Sequence, residues 1–151
     1  MVVPFRLKVP DETKVRGPEV TTVRHDLRGL ARMEAGELVL EWTGKRSVGE
    51  LGPASIRTKD ETVAPTLVRL PVAGIGRVSV RSTLWFRNRI EILLRNLKDA
   101  PVIPGSPPGR VVLWIARSDR EAAEELAAAI ESDLADLALR AAEGERQLPP
   151  P

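Results

Sequence analysis

Residues 110–139 read RVVLWIARSDREAAEELAAAIESDLADLAL, and this stretch decides the fold. Val111 to Ile115 is a short apolar run rich in β-branched and aromatic residues, which predicts a buried strand. Ser118 stops it. With Glu121 it has the spacing of a capping box, the serine oxygen taking an orphan N–H and the glutamate reaching back. Ala122, Leu126, Ile130, Leu134 and Leu137 then recur at helical spacing, with acids on the opposite side at Glu124, Glu125, Glu131 and Asp136. A helix of this extent is about 30 Å long. Its apolar stripe needs a sheet or the mouth of a barrel to cover, and the rest of the chain must supply it.

The chain has 151 residues, 42% hydrophobic and 29% charged, enough for one domain with a real core. The formal charge of +2 does not argue for nucleic acid, but its distribution is uneven. Residues 75–97 hold five arginines and one glutamate, net +4, whereas residues 118–146 hold nine acids and three arginines, net −6. Such asymmetry orients a partner or simply reflects two solvated faces; the second is the ordinary reading. The absence of cysteine removes disulfides and thiolate chemistry and favours a cytoplasmic setting. No apolar run approaches the ~20 residues of a membrane span, and Met1 to Pro10 is too polar to read as a signal peptide.

Residues 1–19 carry three prolines and are expected to form a flexible arm, with at most one edge strand near Val3 to Val9. From Val20 a period of two sets in. Val23, His25, Leu27, Gly29, Ala31 and Met33 point one way, and Arg24, Asp26, Arg28, Leu30 and Arg32 the other, as in a half-buried strand. Ala35-Gly36 makes a turn, after which Leu38, Leu40 and Trp42 line the inner face of a second strand. Residues 43–65 are expected as short strands, Val48 to Leu51 and Ser55 to Thr58, among loops marked by Gly44, Gly49, Gly52, Pro53 and Pro65. Leu67 to Leu70 is a further strand. Ile75 to Ser82 and Asn88 to Leu97 form a hairpin in which Val80 faces Ile90 and Val78 faces Ile92, leaving Arg81 opposite Arg89 and Ser79 opposite Glu91. The segment 143–151 ends in three prolines and is expected to be disordered. The single domain is therefore placed at residues 20–142.

The elements carrying a resemblance are Val68-Arg69-Leu70-Pro71 leading into Ile75-Gly76-Arg77-Val78-Ser79-Val80, then Trp85-Phe86-Arg87-Asn88-Arg89-Ile90-Glu91-Ile92, then Val111 to Ile115 and the capped helix. In this order they resemble the pleckstrin-homology superfold, and in particular the small bacterial pleckstrin-homology-like (PH-like) domains, over roughly residues 20 to 140. The resemblance implies a mainly β fold with a C-terminal α-helix: a seven-stranded antiparallel partly open barrel capped by one amphipathic helix. It also implies a binding module without catalysis, in a bacterial or archaeal cell. Relatives that bind phosphoinositides use basic residues around the first hairpin. Here that turn is the acidic Glu34-Ala35-Gly36-Glu37, so specific phosphoinositide binding is not expected.

Catalytic motifs fail on inspection. Gly44-Lys45 resembles a phosphate-binding loop, but Val39 stands where a glycine is required and Arg46 where a serine or threonine is. Gly74-Ile75-Gly76 is followed by a strand, not the helix a dinucleotide turn needs. His25 is the sole histidine, and Asp26 beside it faces the other way on a strand, so neither a dyad nor a metal site is expected. No cofactor is implied. Trp42 and Trp114 read as core. The candidate binding residues are Leu84, Trp85 and Phe86 at the hairpin tip with Arg81, Arg87 and Arg89 around them, since aromatics supply contact area and arginines steer towards acidic surfaces. The expected role is protein–protein interaction, with another protein or with itself. Peripheral attachment to an acidic lipid surface is the alternative. Nucleic-acid binding by Arg77, Arg81, Arg89 and Arg95 ranks last, because Trp85 is the single aromatic placed near them.

Overall fold

Val3, Phe5 and Leu7 alternate with Pro4 and Arg6, and this alternation fixes where the chain begins. In the computed structural model, which describes residues 1–83, 88–98, 100–147 and 149, strand β1 (Val3–Leu7) buries all three apolar side chains. It is not an edge strand on an arm. It pairs antiparallel with β3 (Glu19–Glu34) on one side and, through Arg6↔Trp114, with β8 (Arg110–Ile115) on the other. Pro4 suggests an edge because it cannot donate to a ladder, yet the β1–β8 pairing is confined to the Arg6 rung, so Pro4 breaks nothing.

The remaining strands are β2 (Glu12–Arg16), β4 (Glu37–Leu51), β5 (Ile56–Pro71), β6 (Ile75–Arg81) and β7 (Asn88–Leu94). All the pairings are antiparallel, and the sheet runs β5-β4-β3-β1-β8-β7-β6, with β2 attached to β3. The sheet is not closed: β5 and β6 lie at opposite ends of this order, joined in sequence by a 3-10 turn at Val72–Gly74. Helix α1 (Arg120–Arg146) packs against β6, that turn, β3, β1 and β7, burying Ala123, Leu126, Ala127 and Ile130. Each of the two large aliphatics contributes roughly 1.5 to 3 kcal/mol by leaving water. The hairpin register is as expected, Val80↔Ile90, Val78↔Ile92, Ser79↔Glu91 and Arg81↔Arg89. Ala35 and Gly36 both take positive φ, 48° and 77°, as a two-residue hairpin turn requires.

Three further expectations change. Within residues 43–65 the expected strands and the loop at Gly52-Pro53 are present, but the strands are not short and Gly44, Gly49 and Pro65 mark no loops: β4 and β5 run for 15 and 16 residues, beside the 16 of β3. At this length each spans about 50 Å, and the outer halves leave the core as a four-stranded arm with β2. Gly44 is a strand residue because β3 comes too close for a side chain; a Cβ there would overlap the carbonyl oxygen of Asp26. Pro65 is tolerated because β5 is the edge strand and the β4–β5 register shifts between Trp42 and Gly44. The helix is not started by a serine box. Ser118 lies within a 3-10 turn at Arg117–Asp119, where the Asp119 N–H donates to the Ala116 carbonyl at 2.9 Å, and no side chain caps the first turn. Finally, Glu143 to Arg146, expected to be disordered, continue α1; its last turns are exposed.

The close approach at Gly44 gives a direct test. Gly44→Ala is expected to destabilise the fold by about 1 to 3 kcal/mol through overpacking, read as a lower urea midpoint. Gly49→Ala, where the nearest atom is 3.9 Å from the added Cβ, should change it little.

Candidate functional site

The strand registers connect into one row. Arg81 faces Arg89, Arg89 faces Trp114, Trp114 faces Arg6, Arg6 faces Arg28 and Arg28 faces Thr43. Directly opposed residues share a face, so four arginines and a tryptophan lie in line across β6, β7, β8, β1 and β3. The face is the outer one: in β1 and β8 the alternate positions Val3, Phe5, Leu7, Val111, Leu113 and Ile115 are buried in the core. At about 4.8 Å between strands the row from Arg81 to Arg28 spans roughly 19 Å.

Trp114 is therefore not a core residue. It is half-buried on the outer face, with Lys8 Nζ 3.8 Å and Arg89 Cζ 5.6 Å from its ring centroid. Both cations lie within the range of attraction to the ring quadrupole. Trp42, by contrast, is buried as expected. Beneath the row sits Glu91, 7% exposed, its carboxylate 3.2 Å from Arg81 Nε and 2.7 Å from Arg89 Nε. The second contact is close but poorly aligned for a hydrogen bond, since Arg89 Nε has no hydrogen-bond partner. One buried carboxylate thus holds two guanidinium groups in place and leaves them a net positive charge. Arg28 is 3.4 Å from Asp26, and Arg6 has no carboxylate partner among the described residues.

Where β1 and β8 part beyond the Arg6 rung, a groove of about 600 Å³ opens, lined by Arg6, Lys8, Arg28 and Trp114, by apolar residues including Pro4, Leu30 and Ala116, and by one acid, Asp119. The opposite end of the same face behaves differently. There Arg32 sits 3.3 Å from both Glu34 and Glu41, and Arg69 lies 3.4 Å from Glu37, together roofing Val39, which is 0% exposed. Those arginines are matched by acids and cover apolar surface with their stems; the row at Trp114 is not matched in this way.

Of the residues singled out from sequence, Arg81 and Arg89 are brought together at the last rung of the β6–β7 hairpin. Leu84, Trp85, Phe86 and Arg87 lie outside the described residues. Arg95 turns back to donate to the Ile75 carbonyl at 3.1 Å and is not part of the row. His25 lies on the inner face of the arm opposite Arg46, its Nδ1 without a hydrogen-bond partner, and Asp26 lies on the other face. Among the described residues there is no group of three or more His, Cys, Asp or Glu able to hold a metal, and no helix is long and apolar enough to cross a membrane. Sequence reading missed Arg6, Lys8, Arg28 and Trp114 because they come from three separate segments. The available signal was parity: once Val111, Leu113 and Ile115 are assigned inward, Trp114 must point out. No family model matches the chain, and no curated protein or solved structure shows significant similarity to it.

Glu91 makes the site testable as a built structure. Glu91→Ala is expected to cost roughly 1 to 2 kcal/mol by leaving two arginines uncompensated, a value discounted for their partial exposure. Urea unfolding checks it; a change below about 0.3 kcal/mol would show that the carboxylate does not organise the row.

Proposed function

We propose that this chain is a non-catalytic binding module of PH-like build that docks an acidic protein partner on the outer face of its sheet. The fold part of this reading is supported by the strand order, with two meanders, β3–β5 and β6–β8, joined through β1, and by a terminal helix packed over the unclosed sheet. The functional part rests on one observation: the row Arg81, Arg89, Trp114, Arg6 and Arg28. Tryptophan and arginine are the residues that dominate binding energy at protein interfaces, and they do so best when clustered beside apolar surface. The groove supplies that surface through Pro4, Leu30 and Ala116. A single-stranded nucleic acid would need several stacking faces along its track; the row offers one, and Lys8 already lies over it.

The test uses defined probes at low salt: a labelled poly-glutamate peptide, a single-stranded oligonucleotide and vesicles rich in acidic lipid. Fluorescence anisotropy should show binding to the peptide that weakens with salt and falls at least about tenfold in Arg6→Glu/Arg28→Glu. Peptide binding unaffected by these substitutions overturns the reading. So does binding to the oligonucleotide or the vesicles that exceeds binding to the peptide.

A further inference from the structure

Charge complementarity within this one sequence points to what the row accepts. From Glu121 to Asp136 helix α1 carries six acids and no lysine or arginine. Glu121, Glu124, Glu125, Glu131 and Asp136 are exposed. The helix turns its apolar stripe, Ala123, Leu126, Ala127 and Ile130, towards the inner face of the sheet, so its acids point away from the core. The basic row lies on the outer face of that same sheet. A helix packed inside therefore cannot lay its acidic side on its own row, and the two surfaces of opposite sign meet only between molecules. Their sizes agree. The sixteen residues of helix from Glu121 to Asp136 cover about 22 Å, against roughly 19 Å for the row.

We infer that the acidic side of α1 from a second copy of this chain docks on the Arg81–Arg28 row, joining copies head to tail. This inference rests on the acidic-partner reading and names the partner. Because row and helix are different surfaces of the molecule, the contact is heterologous; it extends into chains of copies unless the rotation between neighbours closes a ring. Glu125 and Glu131 make no ion pair within their own chain among the described residues, and neither does Arg6, so all three are available to the contact. The interaction is largely electrostatic and exposed, and salt screens it over a Debye length of about 10 Å at 0.1 M.

A charge-swap experiment on the full chain tests this. Sedimentation velocity at about 50 mM salt should show the mean mass of the wild-type protein rising with concentration, and about 500 mM salt should abolish the rise. The row variant Arg6→Glu/Arg28→Glu and the helix variant Glu125→Lys/Glu131→Lys should each remain monomeric. An equimolar mixture of the two should recover the association, because each reversed surface then meets its opposite. A wild type that stays monomeric at every concentration overturns the inference, as does a variant that still associates alone, or a mixture of folded variants that does not associate. Poly-glutamate binding by such a monomer leaves the acidic-partner reading standing and removes only the second copy; loss of both removes both.

Discussion

The fold depends on one strand being wedged between two others. The β3–β4–β5 meander and the β6–β7–β8 meander are each built from strands that pair with their neighbours in sequence. What makes them one sheet is β1, which pairs with β3 over five residues and with β8 at a single rung. Val3, Phe5 and Leu7 then lie at the centre of the core, beneath α1 and between side chains from both meanders. Everything the outer face displays follows from this insertion, because without β1 the arginines of β6 and β7 and those of β3 would belong to separate surfaces.

Much of this was legible in the chain, and the parts that were not have physical causes. The period of two in residues 20–42 and the apolar matching of Val78 and Val80 with Ile90 and Ile92 depend on near neighbours, so they read correctly. The apolar stripe of α1 reads correctly from Ala122 to Leu134 for the same reason, whereas Leu137, placed on it by spacing, is exposed because the helix has by then run past the sheet. The start of the helix misleads because Ser118 and Glu121 satisfy a spacing rule while the backbone enters through a 3-10 turn instead. Gly44, Gly49 and Pro65 look like interruptions, yet each is accommodated within a strand: one by a close approach, one beside open space, one at a register shift on the sheet edge. β1 was misplaced because its neighbours are 20 and more than 100 residues away, and no local pattern announces which strands it joins.

The candidate site shows the same limit more sharply. Each of its charges is unremarkable in sequence, and Trp114 sits in a run that is otherwise core. The site exists as a register property, built when four separate pairings bring one residue from each strand into line. Glu91 supplies the control. A second carboxylate at that depth would cancel both guanidinium charges, as happens around Arg32 and Arg69. With one, the row stays ordered and remains positive.

The length of β3, β4 and β5 has a consequence for motion. Their distal halves, with β2, bury no side chain in the core, so the arm is held by ladder hydrogen bonds and exposed ion pairs such as Arg46–Glu61. Opening it costs little beyond those bonds, and amides there should lose protection from solvent exchange well before those around Leu40 or Leu113. The molecule thus has a stiff root and a compliant blade cut from the same three strands, with the boundary at the register shift beside Thr43.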